Sequence, residues 1–321
     1  MKIFFLILYV WLYIVSADTF SVMSYNVRGY FPCDNFLKPS HHWYYRHDKI
    51  IDIIQKESPD ILGVQEVFNI KAKEQGKCKQ HSFVMGYDFD PLVKKDIKEL
   101  KRQKIVITPP RHLIRDFIRE KLKRMGYSYF YQAGGSPKII FFKKRKFVFL
   151  DGGTFYQNKG KSTTYLFLKH KQTKKTLLVI NTHFIAGRKH SKTRKKNIDT
   201  LIDKIKALNA EGVPMVVLGD FNIRYKSKNY DYLVRQLQSV GMKEIANKEY
   251  TFHDFGKKKR KLDYIFYTKP LHLIKSETVN FVFDIKTKRY LRYQYHQTSK
   301  NILFASDHWP LKAVFKIDEG S

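Results

Sequence analysis

Apolar residues recur with two different periods along this chain. Apolar residues at every second position predict a strand at 20–25, whereas the isoleucines within residues 48–57 predict a helix that is buried on one side. The same patterns predict further helices at 111–125, 192–210 and 230–240, and further strands at 61–65, 138–142, 147–150, 164–169, 177–182, 215–218, 262–267 and 312–315. Strands and helices interleave from end to end, which is typical of an α/β domain with helices packed over sheets.

Two segments depart from this pattern. Lys2, the apolar run that follows it and the small residues up to Ala17 predict a signal peptide at 1–17, and therefore a secreted protein. The apolar run is shorter than the roughly 20 residues that span a bilayer, although an uncleaved membrane anchor is the alternative. Residues from about 69 to 110 are polar and basic. We interpret them as an insertion in a single domain of residues 18–321.

Composition adds a strong positive charge. The chain has 61 Lys+Arg against 29 Asp+Glu, a formal net charge of +32. Such a field attracts nucleic acid or an anionic membrane surface, but a general enrichment in lysine would give the same count. Basic clusters that could contact a polyanion lie at 71–79, 143–146, 192–196 and 257–261.

Residues able to do chemistry stand at the ends of the predicted strands. They are Asn26, Arg28, Glu66, His183, Asp220, Asn222, Asp263, Asp307 and His308. Each is flanked by apolar residues, and a buried carboxylate needs a metal, a proton-sharing partner or a hydrogen-bond network. A single one could be structural, as a salt bridge would explain Glu66, but together at strand ends they favour one site. Oxygen ligands favour Mg²⁺, with Mn²⁺ or Ca²⁺ as alternatives, over zinc.

Several other kinds of chemistry have no support in the sequence. The chain has no phosphate-binding loop, no nucleophile elbow and no His-Glu-x-x-His string, which argues against nucleotide-driven, serine-hydrolase and zinc-protease functions. The two cysteines, Cys33 and Cys78, could pair or remain free, and the sequence leaves both possibilities open.

Taken in order, the strand-end strings resemble the endonuclease/exonuclease/phosphatase family, which includes deoxyribonuclease I, exonuclease III, neutral sphingomyelinases and inositol polyphosphate 5-phosphatases. The similarity runs from about residue 20 to residue 315. It implies a four-layered α/β sandwich, with two central mixed β-sheets flanked by helices. The strings at 43–46, 151–155 and 250–255 are similar to bacterial-type secreted members in particular.

The resemblance also implies roles around a metal ion and the scissile phosphate. Glu66 matches the metal-binding glutamate of the family, and Asn26 and Asp307 match residues beside that metal. Arg28 stands where the deoxyribonuclease I-like branch also carries arginine, which implies a phosphate contact.

The remaining residues match catalytic positions. His308 and Asp263 match an acid–imidazole pair in which the imidazole takes a proton from water. Asp220 and Asn222 match a pair that faces the phosphate. His183 matches the second histidine of the deoxyribonuclease I-like branch and is expected to contact the phosphate or the leaving oxygen.

These observations predict a secreted, monomeric, divalent-metal-dependent phosphodiesterase, an endonuclease that hydrolyses DNA. A sphingomyelinase or phospholipase C-like activity and a phosphoinositide phosphatase activity are alternatives with the same catalytic residues. A non-catalytic polyanion-binding protein is an alternative of a different class.

Overall fold

The computed structural model describes residues 19–29, 41, 43–67, 114–130, 138–157, 161–294 and 301–317. The predicted signal peptide, the predicted insertion at about 69–110 and both cysteines lie outside these residues. The division of the chain into domains stays a prediction.

Strands dominate the described part of the chain. The helices are α1 (Trp43–Glu57), α2 (Ile114–Arg124), α3 (Ser191–Leu208) and α4 (Lys228–Gln238), with a short 3₁₀ turn at Arg188–His190. In chain order the strands are β1 (Thr19–Asn26), β2 (Ile61–Gln65), β3 (Tyr127–Phe130), β4 (Ile139–Lys143), β5 (Phe147–Tyr156), β6 (Ser162–His170), β7 (Thr176–His183), β8 (Met215–Asp220), β9 (Met242–Glu244), β10 (Asp263–Thr268), β11 (Leu271–Thr278), β12 (Phe281–Asp284), β13 (Arg289–Arg292), β14 (Ile302–Leu303) and β15 (Leu311–Ile317). None of these helices is both long and apolar enough to cross a bilayer.

The strands form two large mixed sheets and one small sheet. The first sheet has the order β11-β15-β1-β2-β4-β3 and the second has the order β5-β6-β7-β8-β10-β9, while β13-β12-β14 form the third. Each six-stranded sheet has a parallel pair at its centre, β1 with β2 and β7 with β8, and its other pairs are antiparallel.

Side chains that alternate between the two faces of each strand explain how the layers pack. On β1, Phe20 and Val22 join a core cluster that contains residues of both large sheets, whereas Met23 and Tyr25 pack with residues of α1 and α2. The outer face of the second sheet packs in the same way against α3 and α4. The result is the predicted four-layered sandwich, with two mixed sheets between helices.

Most predicted elements are found, with ends displaced by a few residues, but β3, β9 and the strands from β11 to β14 were not predicted. β11 is an edge strand with a bulge between Leu273 and Lys275, and its Ile274 side chain is exposed. An edge strand with such an interruption lacks the regular alternation on which sequence-based prediction depends.

The topology gives the sandwich two different edges. The parallel strands β1, β2, β7 and β8 all end at one edge, and the antiparallel strands β10 and β15 begin there. We call this the carboxyl edge; Asn26, His183 and Asp220 lie on it. The amino edge is at the other end, where Asp60 precedes β2 and residues 144–146 turn between β4 and β5.

Candidate active site

Each strand face that lines the space between the two sheets becomes polar at the carboxyl edge. In the interior these faces carry residues such as Val22, Val179, Val216 and Ile265. Their outermost positions are occupied by Asn26, His183, Asp220 and Asp263, all at most 5% exposed. The period of the strands therefore brings together polar residues that are far apart in the sequence.

Unusual backbone conformations occur at or just beyond the ends of the strands at this edge. Arg28, Glu66 and Asn222 have φ angles of 49°, 62° and 50°, a left-handed region that costs most residues about 1–2 kcal/mol. Gly219 has φ 148°, and a Cβ there would lie 2.0 Å from the carbonyl oxygen of Thr182. Strain held at such positions is typical of functional sites.

The amide of Asn26 lies at the centre of the site and joins its two halves. Its Nδ2 donates to Glu66 Oε1 at 3.1 Å and to Asp220 Oδ2 at 3.1 Å. Its Oδ1 accepts the backbone N–H of Arg28 at 3.0 Å. Because the amide nitrogen faces both carboxylates, the side chain connects Glu66 of the first sheet with Asp220 of the second.

His308 and Asp263 form the predicted acid–imidazole pair. Nδ1 of His308 lies 2.8 Å from Asp263 Oδ2, and Nε2 lies 3.8 Å from Asp220 Oδ2. Thr251 Oγ1 accepts the backbone N–H of Asp263, and Ser306 Oγ accepts that of His308. Both members of the pair are thus fixed through their own backbone as well as through their side chains.

Asn222 lies beside Asp220. Its backbone N–H donates to Asp220 Oδ1 at 2.8 Å, and its Nδ2 donates to the Phe184 carbonyl at 3.1 Å. The loop after β8 is therefore joined to the loop after β7.

The second histidine and the arginine complete the cluster. His183 Nε2 lies 3.5 Å from Asp220 Oδ2 and 3.8 Å from Glu66 Oε1. Arg28 Nη1 donates to Asp307 Oδ2 at 3.2 Å. All nine residues that the sequence predicts for the site lie at the carboxyl edge, although their individual roles stay predictions.

Burial and crowded charge shift the pKa values of several of these groups. Burial, together with the negative charge of Asp263, raises the pKa of Asp220 to about 7, and burial also raises the pKa of Glu66. Burial alone would lower the pKa of His308, but the carboxylates of Asp263 and Asp220 outweigh it and raise that pKa to about 10. The pKa of His183 is held well below its usual value, chiefly by burial.

The donor set fits a divalent cation. Oε2 of Glu66 and Oδ1 of Asp263 are buried and have no hydrogen-bond partner among the described residues. Burial raises the pKa values of Glu66 and Asp220 more than the nearby charge of His308 lowers them, so a bound cation would stabilise both carboxylates. Asp220, Asp263 and His308 also offer ligand atoms within 4.8 Å of one another. Glu66 and Asp220 also offer carboxylate oxygens from the two sheets on either side of the Asn26 amide.

Comparisons with known proteins decide the family. The sequence profile described as "Endonuclease/Exonuclease/phosphatase family" matches residues 23–308 of the chain. The chain belongs to the endonuclease/exonuclease/phosphatase family. A search of curated proteins finds no match to it. Since this family comprises metal-dependent phosphoric ester hydrolases, the chain is an enzyme of that class.

Solved structures agree with the family fold. The chain is similar to an endonuclease/exonuclease/phosphatase family protein from Bacteroides thetaiotaomicron, with 20% identity, a TM-score of 0.65 and coverage of 94% of this chain and 98% of that one. It is also similar to a mannosyl-6-phosphatase from the same organism, with 20% identity, a TM-score of 0.63 and coverage of 92% and 99%. The structure of ANGEL2, a 2′,3′-cyclic phosphatase, in complex with adenosine-2′,3′-vanadate has 18% identity, a TM-score of 0.59 and coverage of 93% and 96%.

Sequence reasoning missed the part that Arg46 plays in supporting the site. Its guanidinium is fully buried and donates to several backbone carbonyls. These belong to Val27, Arg28, Gly29, His41 and Ala305. The sequence carries little signal of this, because the predicted helix at 48–57 begins after Arg46, whereas the observed α1 begins at Trp43 and includes it.

Proposed function

We propose that the chain is a secreted, Mg²⁺-dependent endonuclease that hydrolyses DNA at the carboxyl edge. The observation that carries this proposal is the presence of exposed basic residues in two loops that adjoin the site. Lys257 and Lys259 shortly precede Asp263, and Arg188 and Lys189 shortly follow His183. A phosphodiester chain bound at the site would be attracted by the positive charge of both loops.

The basic cluster at 192–196, near the start of α3, also lies at the carboxyl edge. The guanidinium of Arg194, in the first turn of α3, donates to the carbonyls of Ile185 and Gly187, which holds the helix against the loop that follows His183. Lys192, Lys195 and Lys196 are exposed there. The segment 143–146, in contrast, lies at the amino edge, so we exclude it from the proposed DNA track. The cluster at 71–79 lies outside the described residues.

Charge neutralisation is the first requirement of phosphodiester hydrolysis. A divalent cation held by Glu66 and Asp220, beside Asn26 and Asp307, would compensate these carboxylates, neutralise phosphate oxygens and lower the pKa of His308. Arg28, fixed by its ion pair with Asp307, would donate to a further phosphate oxygen.

The histidines differ in the proton that they can handle. His308, with Nδ1 held by Asp263, presents Nε2 to take a proton from water, and Asp263 stabilises the resulting imidazolium. Asn222 and Asp220 would position the water and the phosphate. His183 is neutral in this environment because of its lowered pKa. It is therefore better suited to donate a hydrogen bond to a phosphoryl oxygen than to deliver a proton to the leaving oxygen.

A second candidate is hydrolysis of a smaller phosphate ester. The structural likeness to a mannosyl-6-phosphatase and to a 2′,3′-cyclic phosphatase favours it. A phospholipase C-like activity would use the same catalytic residues and would make the basic surface a membrane contact.

The test is parallel hydrolysis of plasmid DNA, sphingomyelin liposomes and a sugar 6-phosphate by the purified protein, with Mg²⁺ and with a chelator. Cleavage of DNA that the chelator abolishes supports the proposal. Hydrolysis of only the lipid or only the sugar phosphate replaces it with the corresponding alternative. Secretion is checked separately, by sequencing the amino terminus of the exported protein, which should begin at Asp18.

A further inference from the structure

A layer of buried polar side chains, two amides and one hydroxyl, lies directly beneath the active site. Asn181 is two residues before His183 on the same face of β7, and Gln65 immediately precedes Glu66. Ser24 holds the corresponding position beneath Asn26 on β1. The side chains of all three are 0% exposed. No role in the chemistry is available to them, because they lie below the residues that substrate can reach.

These amides bond across the two sheets. Asn181, of the second sheet, uses both hydrogens of Nδ2, donating to the carbonyls of Val64 and Ile139 in the first sheet at 3.0 Å each. Its Oδ1 accepts Gln65 Nε2 at 2.7 Å. Gln65 Nε2 also lies 3.2 Å from Ser24 Oγ, which connects Asn181 to β1 as well as β2.

The sheets approach closely enough for these bonds because of Gly63. A Cβ at Gly63 would lie 2.1 Å from Leu218 Cδ1 and 3.1 Å from Asn181 Cγ. Any side chain larger than hydrogen would therefore push Asn181 and Leu218 away from β2. Leu218 lies beneath Asp220 just as Asn181 lies beneath His183, so both catalytic strands depend on this gap.

The active site needs such a connection because it is divided between the sheets. The first sheet and the turn before β15 supply Asn26, Glu66 and His308, whereas the second sheet supplies His183 and Asp220. The apolar packing that holds the two sheets together is not directional. Hydrogen bonds to fixed carbonyls are directional, and buried polar networks select one arrangement of a core.

We infer that Asn181 and Gln65 form an inter-sheet clamp that sets the position of the Glu66 half of the site relative to the His183 and Asp220 half. They are positioning residues for the phosphoester hydrolysis proposed above, on which this inference rests. Displacement of one half by about 1 Å would cost about 10²-fold in rate.

The test compares two variants on the same face of β7. Asn181→Leu keeps the number and branching of the side-chain heavy atoms and removes all three hydrogen bonds, whereas Val179→Ala weakens the apolar layer directly below. The substrate is bis(p-nitrophenyl) phosphate with Mn²⁺, and stability is measured by urea unfolding so that turnover is expressed per folded molecule. If Asn181→Leu does not fold, Gln65→Met takes its place.

We expect Asn181→Leu to lower kcat by about 10- to 100-fold with little change in KM, and Val179→Ala to keep kcat within about twofold although it also loses stability. Equal kcat losses in the two variants, or an unchanged kcat in Asn181→Leu, would overturn the clamp. If the wild type hydrolyses no phosphodiester, the proposed function fails by itself. Mn²⁺ affinity measured by calorimetry then tests the clamp, which requires weaker binding in Asn181→Leu than in Val179→Ala.

Discussion

The two edges of the sandwich hold buried charge in opposite ways. At the amino edge, the carboxylate of Asp60 accepts a hydrogen bond from Lys146 Nζ at 2.9 Å. It also accepts hydrogen bonds from the backbone N–H and the hydroxyl of Ser21. At the carboxyl edge, Glu66 and Asp220 lie on either side of the Asn26 amide and close to His183, and Oε2 of Glu66 has no hydrogen-bond partner among the described residues. Satisfied charge at one edge stabilises the fold, whereas crowded charge at the other costs stability, which is the pattern expected of a catalytic site.

The largest expected difference between the edges concerns turnover. His308→Ala and His183→Ala should each lower the rate of phosphodiester hydrolysis by about 10²–10⁴-fold and leave the protein folded. Lys146→Met should keep normal turnover but lose about 1–3 kcal/mol of stability, because Asp60 stays buried without its cation. Initial rates and urea unfolding measure both effects. Near-normal turnover in either histidine variant would remove that histidine from the mechanism.

The next effect is on stability and pH. The folded pKa of Asp220 is raised to about 7, above the ordinary value of 3.8. Folding therefore favours its protonated form, and the metal-free protein should lose stability as the pH rises from about 4 to about 7. Asp220→Asn removes this penalty.

Urea unfolding in a chelator should thus find Asp220→Asn more stable than the wild type at pH 8 and similar to it at pH 4, although the variant is inactive. Equal stabilities at pH 8 would show that the buried carboxylate carries no penalty, and the contrast between the two edges would then be wrong for Asp220.

The smallest effect concerns the exposed basic residues. Replacing Lys257 and Lys259 by serine should reduce the slope of log affinity for DNA against log salt concentration by about 1 for each lysine. The same change at Lys144 and Arg145, exposed at the amino edge, should leave the slope unaltered. Fluorescence anisotropy with a short duplex measures all three proteins. Equal changes of the slope in both variants would indicate that DNA is attracted by the overall positive charge and does not bind specifically along the site.

Much of the fold followed from the sequence because buried strands and one-sided helices leave regular apolar patterns. The pattern of β7, with Leu177 and Val179 facing one way, also predicts the direction of His183. Strands at the edges escaped prediction, because exposed positions such as Ile274 and the adjacent bulge interrupt the alternation.

The residues of the candidate site were predictable because each is a polar residue at or near the end of an apolar strand. The supporting residues were not, because their function depends on contacts between distant segments. Gln65 and Asn181 are 116 residues apart in the sequence, and Arg46 bonds to a carbonyl 259 residues away. Only the packing of the two sheets shows which groups the amide at position 181 bonds to.

The most direct test of the account is a metal titration of phosphodiester hydrolysis by the wild type and Glu66→Gln. We expect the metal-stripped wild type to be inactive and to recover with Mg²⁺ or Mn²⁺. We also expect Glu66→Gln to require far more metal for half-maximal rate, because one of the two carboxylates proposed to hold the ion has lost its charge. Full activity of the stripped wild type, or an identical metal requirement in the two proteins, would contradict the assignment of Glu66 to the metal.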